Sequence, residues 1–185
     1  MSVMNGFRID LTNRIIGLNS HLNIYSFDNE ITNKQADELI LNIDNSFFYQ
    51  HYKSIETNGL IIKSNNSKGV MIKGYDAYDK NHYLFNSINM GALIQNPKSE
   101  ILIGDSLANE MNLSVGDKVK IAIPKTDKTI LGNIPRFKTL EVVGVFDLGL
   151  YEYDSNLIFL SSELVRKLLL YLSLIHISEP TRPLD

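Results

Sequence analysis

With 185 residues, 44% of them hydrophobic, the chain is long enough to bury the core of one domain or of two small ones. Its net charge of −3 lacks the basic excess of a general nucleic-acid binder, and the absence of cysteine excludes a disulfide framework and thiolate chemistry while leaving the compartment open. No run approaches the roughly 18 to 20 apolar residues of a membrane span, and the residues after Met1 show no signal-peptide pattern. At face value this is a soluble protein, and both ends of the sequence argue against face value.

Val3, Phe7, Leu11 and Ile15 recur every four residues among Arg8, Asp10, Asn13 and Arg14, which predicts an amphipathic helix stopped near Gly17. No cap precedes Val3, as expected of a helix that continues one lying before residue 1. Residues 21–26 alternate as a strand. Thr32 with Gln35 forms a capping box for a helix whose buried stripe is Ala36, Leu39, Ile40, Ile43 and Phe47. Residues 59–63 and 70–75 predict a hairpin around a turn over 64–69, giving the order βαββ. Residues 79–95 read as one or two short helices. Residues 100–103 form a strand ended by Gly104, Asp105 caps a short helix through Met111, and Ser114, Val115, Gly116 and Asp117 turn the chain into the next strand.

That strand opens the most distinctive stretch. Lys118 to Ile123 alternates, with Val119, Ile121 and Ile123 on one face, and residues 140–146 are rich in β-branched side chains. Between these strands stand Pro124 and Pro135, each lacking a backbone donor and each unsuited to a central ladder. They bracket an arm of Pro124, Lys125, Thr126, Asp127, Lys128, Thr129, Ile130, Leu131, Gly132, Asn133, Ile134 and Pro135, longer than an ordinary hairpin loop. Its tip is apolar, and from Pro124 to Lys138 the cations Lys125, Lys128, Arg136 and Lys138 face one anion, Asp127. An apolar tip on a basic base suggests a docking arm. A long hairpin whose Ile130, Leu131 and Ile134 fold back onto the domain is the plain alternative.

After the arm, residues 147–154 read as an acidic, aromatic loop and 156–160 as a strand. Ser161 then caps a helix with Leu164, Val165, Leu168 and Leu169 facing inward. Residues 172–182, LSLIHISEPTR, resemble the translation of a sequencing-library adapter, and the Ile-, Asn- and Lys-rich bias of the preceding chain breaks there. Residues 172–185 are therefore expected to be non-native, and the final helix to have lost what followed it.

Catalytic signals are sparse. His21, His51 and His82 lie about thirty residues apart without an i, i+4 partner, so no metal site is expected. No P-loop and no nucleophile elbow is present, and no cofactor is implied. Glu152 and Asp154 offer paired carboxylates, but a solvated loop is the simpler reading.

Several stretches together resemble one family. They are Ser2-Val3-Met4-Asn5-Gly6-Phe7, Glu100 to Gly104, Leu107-Ala108, Val115-Gly116-Asp117, Gly132-Asn133-Ile134-Pro135-Arg136 with Lys138, Val142 to Phe146, and Gly149 to Asp154. They look like the LolC/LolE permease subunits of the lipoprotein-releasing ABC transporter. The resemblance implies an α+β, MacB-like periplasmic domain of an inner-membrane protein. In it a mixed α/β lobe (residues 1–96 and 151–171, with 1–17 continuing a transmembrane helix) is split around a β-rich lobe (97–150). It further implies that the arm 124–135 is a hook for a LolA-like periplasmic lipoprotein carrier, with Lys120, Arg136 and Lys138 as the basic pad at its base. Lysines stand where the family's carrier-recruiting member has arginine, so bidentate contacts would be lost while charge survives. The other implied partners are lipoproteins, a second permease subunit, and a cytoplasmic ATPase that holds the catalytic activity; nucleic acid is not among them. A MacB- or FtsX-like motion-transmitting module, and a soluble enzyme using the 152–154 loop, are the competing readings.

Overall fold

The computed structural model describes residues 4, 6, 8, 12, 33–42, 54–75, 83–123 and 136–173. The chain forms two compact units, Met1–Lys53 and Ser54–Asp185.

In the first unit, Met4, Gly6, Arg8 and Thr12 are helical and exposed, consistent with the polar side of the expected helix. Its apolar stripe and the strand expected over 21–26 lie outside the described residues. Helix α1 spans Asn33–Asn42, within the predicted span. Leu39, expected on the buried stripe, keeps 40% of its surface exposed.

The second unit is built on seven strands: β1 (Ile55–Lys63), β2 (Asn66–Tyr75), β3 (Ile88–Gly91), β4 (Glu100–Gly104), β5 (Lys118–Ile123), β6 (Arg136–Phe146) and β7 (Leu157–Ser161). Helices α2 (Asp105–Met111), α3 (Tyr151–Asn156) and α4 (Ser162–Ser173) complete it. The fold is thus α+β. Strand order is β3-β6-β4-β7-β2-β1-β5, and β5 pairs in turn with β6, so six strands close into a ring with β3 appended to β6. Two pairings, β2 with β7 and β4 with β6, are parallel. Closure leaves each of the six with a neighbour on both sides, which removes the exposed edges of an open sheet.

Alternation along the strands decides what fills the ring. Ile61, Val70, Ile72, Ile101, Ile103, Val119, Ile121, Leu140, Val142, Ile158 and Leu160 belong to one buried core, to which α2 adds Leu107, Ala108 and Met111 and α4 adds Leu164 and Val165. The outward-pointing residues of β7 and the ends of β2 and β6 are also buried. Phe159 meets the rings of Tyr75 and Phe146 edge-on, with centroids 5.9 and 5.2 Å apart. Burial pushes the Tyr75 phenol up to about 12.

Several expectations change. The β1–β2 hairpin is longer, with Lys63 opposite Asn66 and a two-residue loop in which Ser64 takes a positive φ of 53°. Over 79–95 the described part is a 3-10 turn, Tyr83–Ser87, followed by β3; pairing of Ile88 with Phe146 and Gly91 with Gly144 overrides local helix preference. Helix α2 begins after Gly104, not under an Asp105 cap; Asp105 is its first residue and accepts a 3.1 Å bond from Asn109. Residues 151–156 are a helix rather than a solvated loop. One sheet takes in all seven strands, from β1 at Ile55 to β7 at Ser161.

The serine cap before α4 does form. Ser161 Oγ accepts from Leu164 N at 3.1 Å and donates to the Pro97 carbonyl at 2.6 Å, tying the β3–β4 connection to the start of the helix.

Candidate functional site

The arm is rooted on the rung Ile123–Arg136, the last of six paired positions between β5 and β6. Residues 124–135, which hold the whole predicted hook, lie outside the described residues, as does the side chain of Arg136. What is described is the root. It is firm, because β5 is hydrogen-bonded to β1 on its other side through Ala122, Ile121 and Lys120.

Register separates the predicted pad. Lys120 stands opposite Thr139, and Lys138 opposite Ile121. Directly opposed residues share a face and neighbours along a strand alternate, so Lys120 and Lys138 project from opposite faces of the β5–β6 ribbon. Both are exposed. Lys120 and Lys138 thus flank the ribbon. The two prolines already imply pairing of Ile123 with Arg136, and that rung alone fixes this parity.

The turn feeding β5 is locked by charge and backbone. Asp117 accepts from Ser114 N at 2.9 Å and from Lys63 Nζ at 2.8 Å, and Lys63 also donates to the Asn112 carbonyl at 2.5 Å. The Lys63 bond, then that from Ser114, holds the Asp117 carboxyl below its ordinary range. Gly116, at a φ of 94°, supplies the left-handed backbone the turn requires, and its N–H reaches the Val142 carbonyl at 2.7 Å.

Glu152 and Asp154 are not a catalytic pair. Asp154 is buried, and its two carboxylate oxygens accept from Leu148 N at 2.9 Å and Leu150 N at 3.1 Å, folding the 147–150 loop onto α3. Burial pushes its carboxyl above the ordinary range against the pull of those two N–H groups, and neighbouring Asp147 adds to the rise. Glu152 is exposed, and two residues along a helix its side chain points away from that of Asp154. On the far side of α3, Tyr151 donates to Glu110 at 2.9 Å, and Glu110 also takes Lys68. Among the described residues no group of three or more His, Cys, Asp or Glu is placed to hold a metal ion.

Two residues at the root were missed by the sequence reading. Phe137 is 56% exposed and Leu60, two strands away, 41%. The strand period places Phe137 on the face opposite Leu140, which was the available signal.

The second unit is thus an α+β module in which a closed ring of strands holds both ends of the 124–135 segment on one rung. No family model matches the chain. Over most of its length it is similar to lipoprotein-releasing system transmembrane proteins LolC, in agreement with the motifs noted above. It is 26% identical over 162 residues to that of Neisseria meningitidis serogroup B, covering 85% of this chain and 39% of the relative. Against that of Xylella fastidiosa it is 24% identical over 173 residues, covering 91% and 41%. Against that of Buchnera aphidicola it is 25% identical over 150 residues, covering 78% and 36%. The chain spans about two fifths of the length of the curated relatives it matches. Among solved structures, the extracellular domain of the noncanonic ABC-type transporter YknZ from Gram-positive bacteria aligns with a TM-score of 0.43 and 14% identity, over 63% of this chain and 56% of that one. That likeness is too loose to carry an inference. No helix among the described residues is long and apolar enough to cross a membrane.

Proposed function

We propose that this chain is the periplasmic module of an ABC transporter permease that releases lipoproteins from the inner membrane and hands them to a LolA-like soluble carrier. The observation that carries the reading is the similarity to LolC over 85% of the chain, joined to a ring that holds both roots of a twelve-residue arm on a single rung. In this reading ATP hydrolysis belongs to a separate cytoplasmic subunit, a second permease subunit completes the membrane assembly, and the arm docks the carrier.

Magnitudes suit a handover. Burying Ile130, Leu131 and Ile134 would contribute roughly 1.5 to 3 kcal/mol each, against an association cost of roughly 4 to 15 kcal/mol. Contact through the arm alone is therefore weak and reversible, and a carrier so held leaves with its cargo. The basic arm speeds encounter with an acidic partner and loses that advantage as salt rises.

The test is crosslinking of the purified carrier to wild-type protein and to an Ile130→Asp, Leu131→Asp double variant, with circular dichroism to confirm folding. Loss of the crosslink in a folded variant is expected. Crosslinking that survives the double substitution removes the arm from the docking reaction.

A further inference from the structure

Tyr151, the first residue of α3, keeps 68% of its surface exposed although its hydroxyl is engaged, donating to one Glu110 oxygen at 2.9 Å. The other Glu110 oxygen takes Lys68 Nζ, so this one carboxylate of α2 stitches α3 to β2. A free surface tyrosine samples several rotamers, whereas this one is held at its tip while its ring stays open to solvent. A group that stacks on the ring therefore has little side-chain freedom left to remove.

Charge decides what such a ring takes. Residues 99–117, which include α2, hold four acidic residues and no lysine or arginine. Residues 139–165, which include α3, hold five and again no lysine or arginine. The two helices pack against each other, so these two acidic segments meet where Tyr151 stands. Lys68 is committed to Glu110, and Lys63 to Asp117. Asp147 and Glu152 are exposed, and neither makes an ion pair among the described residues. The face of an aromatic ring is itself the negative end of a quadrupole, so ring and carboxylates favour the same ligand, a cation.

We propose that Tyr151 anchors a protein-docking surface on α2 and α3, its ring stacked by an arginine of a basic partner while Glu152 accepts from the edge of that guanidinium. Arginine suits the place better than lysine, because its planar head lies flat on an aromatic face and still offers donors at its rim. A second copy of this chain packed about a two-fold axis would set these acidic helices against each other, whereas a basic partner meets complementary charge. The surface lies on the helices and requires neither the 124–135 segment nor a carrier.

The experiment titrates the full chain at low salt with two capped peptides, Gly-Arg-Gly-Arg-Gly and the same sequence with citrulline, which keeps the shape of arginine without its charge. Ring resonances of Tyr151 are followed by NMR. Wild type is expected to bind the arginine peptide with shifts at the Tyr151 ring, and the citrulline peptide about tenfold more weakly. Affinity for the arginine peptide is expected to fall about fivefold in Tyr151→Ser and about threefold in Glu152→Gln. Tyr151→Phe keeps the ring and drops the bond to Glu110, so it should lose less than Tyr151→Ser. Tyr151 is exposed, and thermal melts verify that each variant is folded. Arginine-peptide binding that is as tight in folded Tyr151→Ser as in wild type, or that leaves the Tyr151 ring unshifted, overturns the proposal. Equal binding of the citrulline peptide overturns it as well, as does a Tyr151→Phe loss equal to that of Tyr151→Ser, which places the contact on the hydroxyl. A concentration-dependent dimer that Tyr151→Ser dissolves assigns the surface to a second copy and also overturns it.

Discussion

Gly104 lies directly against the backbone of Asp154: a Cβ at Gly104 would overlap the Asp154 carbonyl group. This is where the strand β4 and the helix α3 touch, and it leaves no room for a side chain. Gly104→Ala forces that contact apart at a fully buried position. The expected loss is about 1 to 3 kcal/mol or more of unfolding free energy, read by denaturant titration. Gly69→Ala, at an exposed strand position with open space around it, serves as the neutral comparison.

The carboxylate on the other end of that contact gives a pH dependence of definite sign. Burial holds the Asp154 carboxyl above its unfolded value, so the folded state binds the proton more tightly than the unfolded chain. The stability this contributes is fully present below the unfolded pKa of about 3.9 and is lost as pH rises through the higher folded value. Thermal melts of Asp154→Asn across that window should show a shallower decline with rising pH than wild type.

Asp117 has the opposite sign. Its folded value is depressed by Lys63 and by Ser114 N–H, so its contribution is present above the unfolded pKa and is lost as pH falls through the folded one. Lys63→Met should reduce the acid-side loss of stability. The effect is small because the pair is solvent-exposed, and it should shrink further in high salt.

Two adjacent serines should respond oppositely to the same substitution. Ser161 Oγ both caps α4 and bonds Pro97, so Ser161→Ala is expected to cost about 1 to 2 kcal/mol. The buried Ser162 hydroxyl has no hydrogen-bond partner among the described residues. Ser162→Ala removes an uncompensated polar group and should leave stability unchanged or raise it by about 1 kcal/mol. Paired denaturation curves decide both.

Local signals carried well from sequence to structure where one element decided the outcome. The alternation of Val119, Ile121 and Ile123, the glycine at 116 and the serine at 161 each act through neighbouring backbone, and each does what its residue type requires. What failed depended on distant partners. Strand β3 has only four residues and exists because β6 offers it a ladder, so no window around residue 88 contains the cause. The Glu152–Asp154 segment was misread because the burial of Asp154 is set by Leu148, Leu150 and Gly104, which no periodicity reveals. Ring closure is likewise a property of pairings between strands as far apart in sequence as β1 and β5. The strand ends at Ile123 and Arg136, each next to one of the two prolines, were legible. The opposite facing of Lys120 and Lys138 was available from them as well, once the first rung was drawn.

A closed ring changes what happens when the arm is pulled. In an open sheet, tension on a hairpin peels its two strands from the edge one rung at a time. Here Ala122 is clasped by Leu60 on one side and Phe137 on the other, so parting β5 from the sheet means breaking two ladders at once. Tension applied at the Ile123–Arg136 rung is therefore shared by strands all round the ring.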